Sequence, residues 1–454
     1  MTSIRRGGLA AVRPRAKPTL VVWTGCAQKT PALFTSTSRP RSVPAADETV
    51  APMSFDVAAV RSSFPALAAG AAHFDSPGGS QTPDVVARAV SDTLVSPIAN
   101  RGSVTAAERH AEAVVQAARA AIADLLGAQP GGIVFGRSMT QLTFDVARTL
   151  AETWRRGDEV VVSRLDHDAN VRPWVIAAEN AGATVRWIDF DPQSTELTVE
   201  HVSDQLGDRT RLVALTGASN LIGTRPDLAA IADRVHRAGA LLYVDGVHLA
   251  AHAGIDVAAL GADFFACSPY KFFGPHCGVL AADPALLETL HPDKLLPSTD
   301  AVPERFELGT LPYELLAGTT AAVDFLASLS GTGTAASGER RERVLASMRA
   351  VGEHEDSLRQ RIERGLAGLD AVTLHSRARR RTPTLLLTFA GRSAQDAYRH
   401  LARLGVNAPA GTFYAYEPAR RLGLDGGGLR IGLAPYTDDS DVDRLLEGLG
   451  TFLG

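Results

Sequence analysis

Cysteine is scarce in this chain of 454 residues, with only Cys26, Cys267 and Cys277 present. None of the three belongs to a CxxC pair, and three cysteines cannot form a disulfide framework or a cysteine-rich zinc site. The simplest interpretation is a protein of a reducing compartment, and we expect a cytoplasmic location and no bound metal.

Long apolar runs and a strong net charge are also missing. No run approaches the roughly 18 apolar residues of a membrane-spanning helix, so a membrane is not an expected partner. The formal charge of -4 argues against nucleic acid as the main partner. Residues 1–46 differ from the rest because they carry eight Arg or Lys and no acid. We expect residues 1–52 to be a disordered extension or the product of a start codon assigned too early.

From residue 54 onward, short apolar runs alternate with amphipathic segments. This alternation predicts an α/β fold with a mostly parallel sheet covered by helices. Beyond about residue 311 the pattern changes to a linker over 331–338, a long charged helix and two further strands. We therefore predict a large domain over 53–310, with its N-terminal segment packing on a small C-terminal α+β domain over 311–454.

Two apolar runs organise the large domain, Leu241–Val244 and Phe264–Cys267, and both are predicted to be buried strands. Asp245 ends the first run, and Lys271 follows the second, 26 residues later. The carboxyl ends of parallel strands meet at one edge of a sheet. A carboxylate and a lysine at that edge suit pyridoxal phosphate, which needs a Schiff-base lysine and an acid at its pyridine nitrogen.

Other polar residues follow predicted strands. Ser138–Thr140 lies between a strand and a helix, where exposed N–H groups favour an anion, although these residues are also ordinary helix caps. His167 lies between two acids and suits stacking on a planar cofactor, with zinc ligation as the alternative. Asn220 and His248 are suited to bind a phenolic oxygen, with loop capping as the alternative.

Taken together, these segments resemble the class V aminotransferase family of fold-type I pyridoxal phosphate enzymes, in particular its cysteine desulfurase-like subfamily. The resemblance covers about residues 73–452 and rests on five segments in order. They are Phe-Asp-Ser-Pro-Gly-Gly (74–79), Leu-Asp-His-Asp-Ala-Asn (165–170), Ser-Asn-Leu-Ile-Gly-Thr (219–224), Val-Asp-Gly-Val-His (244–248) and Ser-Pro-Tyr-Lys (268–271).

The resemblance implies a fold-type I transferase with a sheet of the seven-stranded type, bound pyridoxal 5'-phosphate and a homodimer with shared active sites. It implies that Lys271, Asp245 and His167 are catalytic, as Schiff-base lysine, partner of the pyridinium nitrogen and stacking residue. Residues implied to bind the cofactor are Ser138, Met139, Thr140, His167, Asn220, Asp245, His248, Ser268, Tyr270, Lys271, Gly309 and Thr310, the last two reaching the phosphate of the neighbouring subunit. Residues assigned to the substrate are Arg430, which would bind its carboxylate, with Asn100, Arg101, Phe413 and Tyr414.

One departure concerns the reaction. The related desulfurases carry Arg-Thr-Gly-His-His-Cys on a small-domain loop, where this chain has Ala-Pro-Ala-Gly-Thr-Phe-Tyr (408–414). The sulfur-accepting cysteine is therefore missing. Cys277, six residues after Lys271, is the candidate substitute, with a small buried core residue as the alternative.

The resemblance implies an amino acid substrate that reacts through an external aldimine and a Cα carbanion. We favour C–S β-elimination of the lyase or desulfurase type. The alternatives are epimerisation, as in isopenicillin N epimerase, and transamination. A non-enzymatic cofactor-binding protein is disfavoured, because such a protein needs no arginine for a substrate carboxylate.

Overall fold

The computed structural model describes residues 55–330 and 338–454. The predictions for residues 1–52 and for most of the 331–338 linker therefore lie outside the described residues. The described helices are α1 (Val57–Ser62), α2 (Asp84–Val95), α3 (Ala106–Leu126), α4 (Met139–Ala151), α5 (Arg172–Ala181), α6 (Val199–Ser203), α7 (Leu228–Arg237), α8 (Val257–Leu260), α9 (Pro284–Glu288), α10 (Tyr313–Ser328), α11 (Arg340–Leu366), α12 (Ala394–Arg403), α13 (Tyr416–Arg421) and α14 (Asp439–Leu453). The described strands are β1 (Ala72–His73), β2 (Ile133–Gly136), β3 (Glu159–Ser163), β4 (Thr184–Ile188), β5 (Thr210–Thr216), β6 (Leu241–Asp245), β7 (Phe264–Cys267), β8 (Gly278–Ala282), β9 (Val372–Leu374), β10 (Thr384–Phe389), β11 (Val406–Asn407), β12 (Ala410–Gly411) and β13 (Gly428–Gly432).

A seven-stranded sheet with the order β2-β8-β7-β6-β5-β3-β4 forms the centre of the molecule. Neighbouring strands from β4 to β7 are parallel, and β8 is antiparallel to both of its neighbours. The strands are apolar because helices cover both faces of the sheet, and Val160, Val161 and Val162 of β3 are all fully buried. This architecture confirms the predicted α/β fold and its mostly parallel sheet.

Local signals define the ends of α3, which covers one face of this sheet. Thr105 and Glu108 form a reciprocal capping box at its start, and Gly127 ends it with a left-handed backbone, φ 65°. Nine side chains of the helix are buried, since small alanines allow it to pack closely against its neighbours. The Ala-rich amphipathic pattern predicts a helix over the same residues, Ala106–Leu126.

The sequence pattern predicts a helix over 321–329, whereas α10 begins earlier, at Tyr313. Gly318 in this first part of the helix disfavours a helical prediction from sequence. A Cβ at that position would lie 2.6 Å from Val90 of α2, so the glycine allows the two helices to approach closely. Tertiary packing therefore outweighs local propensity here.

A second, smaller sheet has the order β12-β13-β10-β9, and its described strand pairs are all antiparallel. Strand β1 pairs in parallel with β11, and Gly432 at the end of β13 forms a bridge to Asp75. The segment after β1 therefore lies against the C-terminal part of the chain. The proposed domain boundary between residues 310 and 311 stays a prediction.

Candidate active site

One cavity of about 690 Å³ lies at the carboxyl edge of the large sheet. Residues from strand ends, helix α4 and the C-terminal part of the chain line it, although they are far apart in sequence. Its lining consists of Pro77, Gly78, Ser138, Met139, Thr140, Phe144, His167, Asp168, Ala169, Arg172, Thr216, Ala218, Asn220, Asp245, Val247, His248, Ser268, Tyr270, Lys271, Phe413, Tyr414 and Arg430.

Lys271 lies on a short 3-10 turn, Pro269–Lys271, directly after β7. Its Nζ donates a hydrogen bond of 2.5 Å to the backbone oxygen of Pro77 and lies 4.8 Å from the centre of the Tyr270 ring. Burial lowers the pKa of Lys271 to about 7, and nearby Arg430 acts in the same direction. Part of the amine is therefore neutral, and so nucleophilic, near neutral pH.

Asp245 is the last residue of β6 and is only 5% exposed. Its Oδ1 accepts a hydrogen bond of 2.9 Å from the backbone N–H of Val247. Burial raises the pKa of Asp245 to about 6, while this hydrogen bond and the charge of Lys271 oppose the rise. A cation in the cavity would favour the ionised carboxylate.

His167 precedes a short 3-10 turn after β3, and its Nδ1 accepts a hydrogen bond of 3.0 Å from the N–H of Ala169. Its ring centre lies 5.6 Å from that of Tyr414. Burial lowers the pKa of His167 to about 4, helped by the charge of Lys271. The ring is therefore neutral, and the proton lies on Nε2 because Nδ1 is an acceptor.

Asp166 was not predicted as a site residue, yet its side chain links residues on both sides of His167. This carboxyl is fully buried, bonds to the Ser163 hydroxyl and accepts a hydrogen bond of 2.7 Å from the Asn170 amide. The Trp174 indole donates to Asn170 at 3.0 Å. Burial raises the pKa of Asp166 to about 8, so the group is largely protonated at neutral pH.

The N-terminus of α4 faces the cavity, with Ser138 as its N-cap. The Ser138 hydroxyl accepts a hydrogen bond of 3.1 Å from Gln141, while the first N–H groups of a helix have no intrahelical acceptor. The loop fits closely because residue 278 of β8 is glycine. A Cβ there would lie 2.2 Å from the carbonyl carbon of Ser138. Together with Thr140, Ser268 and Tyr270, this junction can bind an anionic group.

Asn220 and His248, the two residues predicted to bind a phenolic oxygen, both line the cavity. Asn220 donates to the backbone oxygen of Phe413 at 3.0 Å, and its buried Oδ1 has no partner among the described residues. The Nε2 of His248 lies 3.0 Å from the Thr382 hydroxyl and 2.8 Å from the Thr384 hydroxyl. Only the other ring nitrogen of His248 is left for a cofactor.

Arg430 extends from β13 into the cavity and is only 2% exposed. Its Nη1 donates to the backbone oxygen of Asn220 at 2.9 Å, and its guanidinium carbon lies 3.6 Å from the centre of the Phe413 ring. Burial lowers the pKa of Arg430 to about 9, and the charge of Asp75 partly opposes this. No carboxylate of residues 55–330 or 338–454 forms an ion pair with Arg430, so this buried cation lacks an anionic partner.

The outer wall of the cavity is a loop with an unusual backbone. Phe413 and Tyr414 have φ values of 54° and 56°, in the left-handed region that bulky residues rarely adopt. The oxygen of Tyr414 accepts a hydrogen bond of 2.8 Å from the N–H of Asp168, and the oxygen of Phe413 accepts that from Asn220. Contacts with the turns that follow β3 and β5 therefore stabilise this conformation.

Four predicted site residues lie away from the cavity within one chain. Arg101 forms ion pairs with Glu112 at 2.7 Å and with Glu304 at 3.0 Å. Asn100 precedes it and is exposed, as are Gly309 and Thr310. The substrate contacts assigned to Asn100 and Arg101 are therefore not formed within the single chain. The cross-subunit role of Gly309 and Thr310 stays a prediction.

The two described cysteines lie outside the cavity lining. Cys267 is fully buried in β7, and Cys277 is 2% exposed, with its sulfur 3.5 Å from the Thr319 hydroxyl. Burial raises the pKa of Cys277 to about 11 and that of Cys267 still further. Both thiols are therefore protonated and enclosed at neutral pH.

Phe144, Asp168, Arg172 and Thr216 also line the cavity, although none of them was predicted as a site residue. Thr140 and Phe144 are four residues apart on α4, as are Asp168 and Arg172 along their turn and helix. Residues four apart on a helix share one face, so this spacing is the sequence feature from which Phe144 and Arg172 could have been predicted.

The model for the family described as Aminotransferase class-V matches residues 72–445. The chain belongs to the class V aminotransferase family. Members of this family are pyridoxal phosphate-dependent enzymes, and the chain is an enzyme of this kind. The family resemblance inferred from five short segments is confirmed.

Several curated and solved proteins are similar to this chain over most of its length. The aminotransferase-like protein FGM3 of Gibberella zeae is 32% identical, covering 87% of this chain and 98% of FGM3. A probable cysteine desulfurase of Pseudomonas aeruginosa is 31% identical, covering 86% of this chain and 96% of its own. The crystal structure of the cysteine desulfurase CsdA of Escherichia coli superposes with a TM-score of 0.76 at 29% identity, covering 87% of this chain and 98% of CsdA.

The cavity lining fits pyridoxal phosphate in charge and in hydrogen-bonding capacity. A helix N-terminus suits its phosphate, a buried carboxyl suits its ring nitrogen, and the unpartnered Oδ1 of Asn220 suits a hydroxyl donor. Among the described residues, no group of three or more His, Cys, Asp or Glu side chains could hold a metal ion. No described helix has the length and apolar character needed to cross a membrane.

Proposed function

We propose that this protein is a pyridoxal phosphate-dependent lyase that eliminates a sulfur-containing group from the β-carbon of an amino acid. One observation carries the proposal. Lys271, Asp245 and Arg430, which carries a buried charge without an ion-pair partner among the described residues, line the same cavity. A lysine for covalent attachment, an acid for the ring and a cation for a carboxylate are the groups this chemistry requires.

We infer that the cofactor would be held mainly at the strand ends and at the N-terminus of α4. Ser138, Met139, Thr140, Ser268 and Tyr270 would bind its phosphate. His167 would stack on the ring, and Asn220 and His248 would bind its phenolic oxygen. When bound, the cofactor supplies an electron sink for the electrons released at the Cα of the substrate.

Each of the three central side chains would then have one task. Asp245 would hold a proton at the ring nitrogen, which keeps the ring electron-poor. Lys271 would take the proton from Cα, a role helped by burial, which lowers its pKa to about 7. Arg430 would bind the substrate carboxylate through its planar fork and so orient the Cα–H bond.

The choice of elimination rests on the names of similar proteins and on the position of the thiols. Two relatives are described as cysteine desulfurases, one probable and one with a crystal structure. Cys267 and Cys277 are buried outside the cavity lining, and the loop at 408–414 has no cysteine. We therefore propose release of sulfide or thiol rather than transfer of sulfur to either of these cysteines. No specific observation favours epimerisation, and the name of the aminotransferase-like protein FGM3 is the observation that favours transamination as the alternative.

The cofactor assignment is tested by borohydride reduction of the purified protein followed by peptide mapping. The chain has only four lysines, Lys17, Lys29, Lys271 and Lys294, so the result is easily read. We expect the label on Lys271. A label on another lysine, or no label after addition of pyridoxal phosphate, would refute the assignment.

The reaction is tested by incubating the loaded enzyme with a panel of amino acids that includes cysteine, without external thiol. We expect keto acid and sulfide in equal amounts and no protein-bound persulfide by mass spectrometry. A persulfide on Cys277 that disappears together with activity in Cys277→Ser would establish desulfuration instead. Racemised substrate without keto acid would establish an epimerase.

We further propose that the protein is a cytoplasmic homodimer whose active sites are shared, with residues 53–310 and 311–454 as its two domains. Supporting the dimer, Gly309 and Thr310 are exposed beside Leu308, an apolar side chain that is 53% exposed. Mixing a Lys271→Ala protomer with a Thr310→Ala protomer should restore some cofactor-loaded sites after subunit exchange. No recovery after proven exchange would argue against shared sites.

A further inference from the structure

Asp168 and Arg172 form an ion pair at the mouth of the cavity. The Nη2 of Arg172 lies 3.1 Å from Oδ1 of Asp168, and the two side chains are 41% and 32% exposed. Both residues line the active-site cavity together with the buried Arg430. The cavity thus has one arginine that is enclosed and another at its opening.

The same two residues also line a second cavity, of about 640 Å³. It shares Phe413 and Tyr414 with the first cavity and is otherwise lined by Thr412 and Tyr416. The loop that carries these aromatic residues therefore borders both spaces. A substrate longer than a simple amino acid can extend past this loop toward Arg172.

Most of the N–H donors of the Arg172 side chain have no hydrogen-bond partner among the described residues. A guanidinium has five N–H donors, and the contact with Asp168 is the only hydrogen bond that Arg172 donates within the described residues. Asp168 is held in turn, because its N–H donates to the oxygen of Tyr414 at 2.8 Å. Arg172 therefore offers a cation with an unused edge that suits a carboxylate.

We propose that Arg172 is a specificity-determining residue that binds a distal carboxylate on the side chain of the substrate. The α-carboxylate binds Arg430, and the distal carboxylate binds Arg172, so the preferred substrate is an amino acid with two acidic groups. This inference rests on the proposed function and narrows its substrate class.

The test measures equilibrium binding to the pyridoxal phosphate-loaded enzyme through the change in cofactor absorbance. The probes are aspartate, glutamate, 2-aminoadipate and 2-aminopimelate, each compared with its ω-amide. We expect at least one acid to bind about tenfold more tightly than its amide, as a charge-assisted hydrogen bond at a half-exposed arginine allows. Because Arg172 is partly exposed, added salt should reduce this preference.

Two variants should shift the preference in opposite directions. Arg172→Gln should abolish the preference, so that the acid and its amide bind with equal affinity. Asp168→Asn removes a competing carboxylate and should increase the preference. The matched control is Arg148→Gln on α4, since Arg148 is also exposed and pairs with an aspartate one turn earlier, Asp145, but lies outside the cavity lining.

The outcomes separate this inference from the proposed function. If no amino acid changes the absorbance, both the proposed function and this inference fail. If acids and amides bind equally along the whole series, only this inference fails. It also fails if Arg172→Gln and Arg148→Gln reduce the preference to the same extent.

Discussion

The floor of the cavity and its outer wall are built in different ways. The floor consists of residues at strand ends, such as Asp245, together with Arg430 in the middle of β13. Asp245 and Arg430 are only 5% and 2% exposed. The wall is the loop at residues 412–416, where Tyr414 is 77% exposed and Tyr416 is 50% exposed. Burial on the floor changes the acidity of side chains, while the wall contributes mainly shape and aromatic surface.

This difference separates chemistry from selectivity. Burial is the largest cause of the pKa shifts of Lys271, Asp245 and His167, so their reactivity depends on a closed, rigid floor. None of the charged groups that contribute to these shifts belongs to the wall. We therefore expect substitutions on the floor to reduce turnover and those on the wall to change substrate preference.

The largest effect is expected for Lys271→Ala on the floor. Loss of the group that attaches the cofactor and moves the Cα proton should lower kcat/KM by about 10³-fold or more. Steady-state assays with the best substrate of the panel measure this loss. Lys294→Ala is the control, because Lys294 bonds to Ser298 and Asp300 away from the cavity lining. Equal activity of the two variants would contradict the assignment.

Arg430→Ala should have the next largest effect. Loss of the carboxylate contact should raise KM about 10- to 100-fold, as expected for a charge-assisted hydrogen bond in a buried site. Arg430→Lys should recover only part of the affinity, since an ammonium lacks the planar fork. Steady-state kinetics of each variant checks this role, because loss of a binding contact should change KM more than kcat. An unchanged KM would remove Arg430 from the substrate site.

The effect of pH on the rate of cofactor loading should be smaller than the effects of Lys271→Ala and Arg430→Ala on catalysis and larger than that of Tyr414→Gly. The pKa of Lys271 is lowered to about 7, so the neutral amine increases as pH rises through this value. Loading of the cofactor-free protein should therefore be about tenfold faster at pH 8 than at pH 6, as a single titration near 7 predicts. Stopped-flow absorbance measures the rate. A midpoint near the ordinary lysine value would show that the floor does not shift this group.

The smallest effect is expected on the wall, for Tyr414→Gly. Glycine adopts the left-handed backbone without the penalty of a side chain, so the free energy of unfolding should rise by up to ~1 kcal/mol. Activity should change only a few-fold, with the larger changes for bulky substrates. Thermal unfolding and kcat/KM for substrates of two sizes are the measurements.

Tyr416→Gly is the matched control for that prediction. Tyr416 is equally part of the loop but begins the helix α13, where glycine costs up to about 1 kcal/mol. The two substitutions should therefore change stability in opposite directions. Destabilisation of the same size by both would show that the left-handed backbone at Tyr414 carries no strain.

The strands of the sheet and most of the residues of the floor could be predicted from the amino-acid sequence. Strand Phe264–Cys267 was predicted with its bounds, because it is a short apolar run between polar residues. Since parallel strands end at one edge, Asp245 and Lys271 could be predicted to meet there, and both line the cavity.

Only the tertiary structure shows the conformation of the wall loop, the burial of the reactive side chains and the ion pair at the mouth of the cavity. The contact of Lys271 with Pro77, the stacking of Arg430 on Phe413 and the ion pair of Asp168 with Arg172 beside Tyr414 depend on how distant segments pack. The left-handed backbone at Phe413 and Tyr414 opposes local propensity, so no local pattern predicts it. Acidity also depends on burial, a property of the folded chain. Sequence periodicity reports the local elements, and the reactivity of a site depends on the contacts made between them.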